Sequence, residues 1–498
     1  MSTSWGDNAV TTGEKPAAKP AAREPESRLW WHSPAVVVTF VGTIGVLLSA
    51  VVSDETFRVL WNEPKLVTTQ TLLIFEIGTL TFGFGAAVAA AAIPKQDNLS
   101  RKWPNLDDTT RTVLHWASVG LFPVILLGYG TLFFLLFRSG FSVTEILGAG
   151  ENQWDTPVKN AIGSVPVVST LVVFTAPAVV ISMLLLVDRY SRAELGRLVV
   201  LVVMSLAQAQ VNSERSAFLG AVVPIVLVGT AAMARSGRWR RRIAKAVPAF
   251  LLVGVVFIFS LGEYFRTWSF YKEHGTGTFP EFVLYRLAGY YATALNNGQI
   301  ILDHLNWPNR IPYDTIEFFW SMQGIYQLRL YEFLGGRARP NAKAGSGAPG
   351  SLYQDALHHF ANPEFNNTSG YVAPYVDYGI VGGTLFLLFA GGFAGVLYRG
   401  FCRGWPFALL LFPIGWTGYA EFPRVYYWSN PGVTYMWIAS LAVIVAIQIS
   451  RRLAARRRAS IFRSEPGDIA AENQRELVAV TVDSGKHHRK DQAAEPGV

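Results

Sequence analysis

The sequence predicts an all-α integral membrane protein of about 10 transmembrane helices, with both termini cytoplasmic and one large extracytoplasmic loop carrying short surface helices. Three observations carry this. Only 16% of the 498 residues are charged while 51% are hydrophobic, against roughly 25% charged in soluble domains. Several windows of about 20 residues are almost free of charge, the length that crosses a bilayer's hydrocarbon. Lys and Arg cluster beside the apolar runs rather than on one soluble face, as membrane topology requires. The net charge of +8 therefore argues for no nucleic acid partner. Cys402 is the sole cysteine, so an internal disulfide and a CxxC site are excluded.

Residues 1–33 form a polar Ala/Pro/Lys/Glu segment, expected as a cytoplasmic tail rather than a cleaved signal. Candidate spans follow at about 34–52, 68–93, 112–137, 163–187, 197–211, 216–234 and 246–262, so that 34–262 holds helices one to seven. Residues 263–370 make the large outer loop. Within it "EFVLYRLAGYYATALNNGQIILDHL" (281–305) spaces its apolar residues near a helical period, which suits packing on the membrane surface. The segment 335–350, rich in Gly, Pro and Ala, reads as a flexible insert. Three more spans, about 371–399, 404–420 and 432–450, complete 371–450, and a basic tail over 451–498 is expected to be disordered. With alternate sides assigned from an inside N-terminus, "RSGRWRRRIAK" (235–245) and "RRLAARRRAS" (451–460) both fall inside. No internal repeat is evident, which disfavours transporters built from duplicated halves.

The gap "NSER" (212–215) then lies outside, between two apolar runs. Started at Leu198, the span before it reaches only about 21 Å, against a core of about 30 Å. Arg215 thus sits at or below headgroup level, where an ionisable group is costly unless it pairs. Glu214 is its local partner. Either the pair is functional, or both are turn charges reaching water. On the same face Asp377 precedes Gly379, Gly382 and Gly383. The glycines suit close helix contact, and Asp377 is either an active acid or a carboxylate favoured at a helix start. Further outer-face cations are Arg266, Arg286, Arg310, Arg329, Arg337 and Arg339. His358 and His359 are adjacent, share no helix face and lack metal-ligand spacing. They fit a general base or a structural role, with no metal and no cofactor.

"NSERSAFLGAVVPIVLVG" (212–229) resembles the Arg-Ser-Ala outer hairpin of bacterial O-antigen polymerases, the Wzy-type oligosaccharide repeat unit polymerases, and of the O-antigen ligase superfamily. "NNTSGYVAPYVDYGIVGG" (366–383) resembles the end of their large outer loop through Asn366, Ser369, Asp377, Tyr378, Gly379 and Gly382. Ligases carry a His shortly before the acid. Here Asn367, Thr368 and Ser369 stand there, which favours a polymerase. The resemblance implies a glycosyltransferase of the bacterial plasma membrane acting on a polyprenyl-diphosphate-linked oligosaccharide. A flippase and a chain-length regulator are the partners it implies, beside membrane lipid. Developing diphosphate charge calls for guanidinium donors, and the attacking hydroxyl needs a base. Arg215 is the first choice for the diphosphate, with Arg266 and Arg286 in support. Asp377, His358 and His359 serve the acceptor, and Glu214, Asn366, Ser369, Tyr378 and Gly379 complete the substrate site.

Two rivals use other residues. A polyprenyl-phosphate-sugar transferase would use acids of the first outer loop, Asp54 and Glu55 in "SDETFRVLW". A transporter or flippase without chemistry would use the intramembrane acid Glu76.

Overall fold

The computed structural model of the chain describes residues 29–94, 103–140, 166–211, 216–264, 268, 271–272, 277–304, 307–322, 324–336 and 352–487. Among these residues the regular structure is helical throughout. A chain crossing hydrocarbon must satisfy its backbone internally, and a helix does so within one segment. In order the helices are α1 (Pro34–Val51), α2 (Asp54–Trp61), α3 (Thr69–Ala92), α4 (Asp108–Arg138), α5 (Pro166–Val173), α6 (Thr175–Asp188) and α7 (Arg192–Val211). There follow α8 (Ser216–Met233), α9 (Arg238–Glu263), α10 (Phe279–His304), α11 (Leu352–Phe360), α12 (Val372–Arg403), α13 (Pro406–Ala420) and α14 (Pro431–His487).

Seven of the described helical stretches are long and apolar enough to cross a membrane: α1, α3, α4, Thr170–Asp188, α9, α12 and the Pro431–Ala459 part of α14. Two shorter apolar helices, Phe218–Met233 and Pro406–Ala420, accompany them. Helix α7 coincides with an expected span, but it opens on Arg192, Glu194 and Arg197.

Helices α3 and α12 pack in direct backbone contact. A methyl group at Gly391 would collide with the Phe82 carbonyl oxygen, and one at Gly395 with that of Ala86. Lipid chains are as apolar as side chains, so such pairs are held by close van der Waals packing, which small residues permit. Around this pair a single large core gathers Phe75 and Phe82 from α3, Tyr371, Leu387 and Leu397 along α12, and Phe412 from α13.

Helix ends sort onto two sides. At one, Trp31 Nε1 donates to the Ala244 carbonyl at 3.0 Å, Trp103 Nε1 to that of Phe401 at 3.0 Å, and Arg451 pairs with Asp107. This basic end also holds Arg238, Arg240, Arg241 and Arg242. At the other, Trp61 Nε1 donates to the Tyr285 carbonyl at 3.1 Å and the Gly370 amide to that of Phe422 at 2.9 Å. It carries most of the 263–370 segment and is termed the loop end.

Two features differ from the sequence expectation. The loop does not hold only short surface helices, because α10 runs for 26 residues and everything from Ala292 to Ile301 is buried. Small residues allow it: Gly289 lies under Trp61, and Gly298 under Val372 and Phe75. The tail, expected to be disordered, continues α14 to His487. Its Ala, Arg, Glu and Leu content favours helix.

Candidate functional site

The loop end brings together four segments distant in sequence: 53–68, α9 with α10, 361–378 and 421–430. Asn296 ties the first to the second. Its Oδ1 accepts from the amides of Leu66 at 2.6 Å and Val67 at 2.9 Å. Its Nδ2 donates to Glu63 Oε1 at 3.2 Å and to the Pro64 carbonyl at 2.8 Å. Every hydrogen-bonding site of this amide is thereby filled. Glu63 Oε2 accepts from the Asn362 amide at 3.3 Å, while Asn362 Nδ2 donates to the Trp61 carbonyl at 2.8 Å. Burial pushes the Glu63 carboxyl up to about 8, although the hydrogen bonds from Asn362 and Asn296 pull it down.

Arg286, on α10, is 3% exposed. Its Nε faces Glu263 Oε2 at 3.4 Å and its Nη2 donates to Glu364. Its guanidinium lies over the Phe365 ring, 4.6 Å from the centroid. Phe365 meets Tyr290 edge-on at 5.9 Å, and the Tyr290 ring carries a second guanidinium, Arg424, at 4.9 Å. Cation, ring, ring and cation thus form one ladder. Arg424 pairs with Glu421 at 2.7 Å. With its amide oxygen turned to the guanidinium, Asn367 accepts from Arg424 Nε and Nη2 at 3.3 Å each. Asn297 braces the same segment by donating to the carbonyls of Phe365 and Asn367. Two buried atoms here lack partners, Arg286 Nη1 and Asn297 Oδ1.

The residues expected from sequence fall into three groups. Arg215, Glu214, Arg266, Arg337 and Arg339 lie outside the described residues. Arg286 is in the cluster of Arg286, Arg424, their carboxylates and the two rings between them, termed the nest, where two carboxylates already match its charge.

The remainder mostly build the scaffold. Asp377 is 3% exposed and accepts from five donors: Asn309 Nδ2 at 2.8 Å, the amides of Tyr313, Asp314 and Thr315 at 2.7, 3.1 and 2.7 Å, and Thr315 Oγ1 at 2.6 Å. So enclosed, it pins residues 309–315 to the start of α12. Beside it, burial and then the charges of Asp377 and Glu317 push the Asp314 carboxyl up to about 8. Tyr378 bonds Thr315 Oγ1 at 3.1 Å. Gly379 adopts φ 70° and ψ 178° and breaks α12 near its start, a conformation open to glycine. Ser369, at φ 64°, donates its amide to the Arg424 carbonyl at 3.0 Å, so the motif's turn is what docks Arg424. Asn366 exposes its side chain and offers its carbonyl to Tyr353 Oη at 3.1 Å.

His358 and His359 stand exposed in the last turn of α11, with His359 edge-on to Phe360 at 4.7 Å. Arg310 and Arg329 are exposed as well. Asp54 pairs with Arg58 at 2.8 Å and accepts from the Lys65 amide at 2.8 Å, an exposed cap contact. Among the described residues no three His, Cys, Asp or Glu side chains converge as metal ligands.

Arg424 and Glu421 did not emerge from the sequence reading, yet they show the same signal as "NSER". In "YAEFPRVYYWSN" (419–430) a carboxylate and a guanidinium again stand in a short gap between apolar helices.

Fold and nest together define a multi-pass α-helical membrane protein with a buried, charge-paired polar centre at one end. Comparison with family models, with curated proteins and with solved structures finds no match to this chain.

Proposed function

We propose that the protein joins oligosaccharide repeat units carried on polyprenyl diphosphate at the outer face of the bacterial plasma membrane, as a polysaccharide polymerase. In this reading ten helices span, both termini are cytoplasmic, and the loop end is extracytoplasmic. The arginine-rich basic end favours that orientation, because cytoplasmic loops carry the excess of Lys and Arg. The observation that carries the reading is the nest itself. Arg286 and Arg424, joined through Phe365 and Tyr290, offer planar donors and aromatic faces where α10 packs along the bundle.

The reaction is a glycosyl transfer. A hydroxyl of one unit attacks the anomeric carbon of another, and the bond from that carbon to the diphosphate oxygen breaks with its electron pair leaving on the diphosphate. The hydroxyl proton passes to a base, for which His358 and His359 are the exposed candidates. Arg215 and Arg266 neutralise the leaving diphosphate through bidentate contacts, so the chemistry proceeds without metal.

Purified protein in liposomes, given a lipid-linked oligosaccharide in the presence of a chelator, is expected to produce a ladder of longer chains. Arg215→Lys should lose most of that growth while still inserting, since a point charge replaces a fork. Failure to elongate, or growth only from a monosaccharide on polyprenyl monophosphate with a divalent cation, sinks the reading in favour of another lipid-linked-sugar transferase. A ligase would instead move a whole chain onto a second acceptor without lengthening it.

Transport without chemistry is the second reading, drawn from Glu76. Its Oε1 accepts from Thr43 at 2.8 Å and its Oε2 is buried without a partner, as at an intramembrane coupling site. Translocation of the lipid-linked sugar that stops on Glu76→Gln, with no elongation, would favour it.

A further inference from the structure

The charge of the nest bears on which part of a polymerase's substrate it meets, and the assignment of that part rests on the polymerase reading. Arg286 faces two carboxylates and Arg424 faces one, so among the described residues acids outnumber guanidiniums here. A diphosphate carries only acceptor oxygens and needs cations in excess. A sugar hydroxyl both donates and accepts, and the C–H face of a sugar ring is apolar.

The nest supplies matching chemistry on each count. Arg286 Nη1 is an unfilled donor and Asn297 Oδ1 an unfilled acceptor, in side chains 3% and 0% exposed. Joined to them through the Asn297–Asn367 contact and the Phe365–Tyr290 rings is a more accessible set, in which the Arg424 and Glu421 side chains are 29% and 21% exposed. Asn367 and Tyr290 are half-buried beside them. That set is formally neutral, presents guanidinium donors, carboxylate acceptors and an amide that is both, and includes an aromatic ring. Unpaired polar groups in such a site are satisfied by a ligand that can give and take hydrogen bonds.

We infer that Arg424, Glu421, Asn367 and Tyr290 form a saccharide subsite, which holds a neutral sugar of the lipid-linked unit by its hydroxyls and leaves the diphosphate to Arg215 and Arg266. Tyr290 is the platform, the Arg424–Glu421 pair brackets vicinal hydroxyls, and Asn367 fixes their orientation.

The probes are lactose, maltose, cellobiose and chitobiose, and separately inorganic pyrophosphate, each added to the full-length protein in lipid nanodiscs. Saturation-transfer NMR is expected to show binding of at least one disaccharide. Its Kd should weaken about tenfold in Glu421→Gln, the scale of one hydrogen bond to a charged group. Asn367→Ala, which leaves the ion pair in place, should weaken it in the same direction and guards against a folding artefact. Pyrophosphate should neither displace the disaccharide nor lose affinity in Arg424→Gln. Binding of none of the disaccharides overturns the subsite, as does pyrophosphate competition or pyrophosphate binding that depends on Arg424. Saccharide binding without chain growth keeps the subsite and defeats the polymerase. Chain growth with pyrophosphate seated on Arg424 does the reverse.

Discussion

Glu63 shows how one side chain can set a property of the whole loop end. It is 2% exposed, receives hydrogen bonds from two asparagines, and burial holds its carboxyl near 8 rather than at the ordinary 4.5. Its folded value is therefore raised. Its stabilising contribution is complete below the ordinary value and is lost as pH rises through about 8, because the unfolded chain then binds fewer protons than the folded one. Across that window the loss is on the order of a few kcal/mol. The thermal midpoint of the detergent-solubilised protein should fall steadily from about pH 5 to about pH 8. Glu63→Gln, which keeps the shape without the proton, should flatten that slope. An unchanged slope in the variant would move the titration to another group, with Asp314 the next to test. Asp377 teaches the complementary point. Read in sequence it is an acid beside a glycine-rich helix start. Its five donors show that the spacing of the motif encodes a clasp.

At the scale of elements, the helices were legible because their cause is local. Nine of the ten expected spans lie along one described helix each, while 163–187 falls on α5 and α6 with 163–165 outside the described residues, since about 20 apolar residues in a row admit no other backbone in a bilayer. The helical period over 281–305 likewise placed α10. Its burial was not legible, because that depends on Trp61 and Val372 meeting Gly289 and Gly298 across long stretches of chain. The nest divides in the same way. Arg286 could be found by its position on α10, whereas Glu263, Glu364, Phe365 and Arg424 join it only through packing. Glycine contact also makes a prediction for the α3–α12 pair. Gly391→Leu should cost about 1–3 kcal/mol, the usual penalty of overpacking, because its side chain would meet the Phe82 carbonyl. Gly254→Leu on α9, where an added methyl meets nothing within 4 Å, serves as the control. Equal thermal midpoints for the two variants in detergent would show that α3 and α12 are not held by this contact.

For the whole molecule, the polar nest and the arginine clusters occupy opposite ends of one bundle, and each end has a physical reason to be where it is. Arg238, Arg240, Arg241 and Arg242 open α9, and Arg451, Arg452, Arg456, Arg457 and Arg458 lie in the last turns of the Pro431–Ala459 stretch of α14. Clusters of this kind resist translocation, which is the basis of the orientation proposed above. The nest instead neutralises its arginines with carboxylates and stacks them on rings, so it adds little to that bias. Sidedness is therefore the property on which saccharide chemistry at the outer leaflet stands or falls. It can be read with thiols, because Cys402 is the sole cysteine and is buried at the basic end. In a Cys402→Ala background, Arg310→Cys places a thiol at an exposed position of the loop end, and Ser236→Cys places one at the exposed basic end. A membrane-impermeant maleimide applied to intact cells should label the first and spare the second, and both should react once the membrane is opened. The opposite pattern would put the nest in the cytoplasm, where lipid-linked units are assembled rather than joined, and would remove the polymerase reading together with its saccharide subsite.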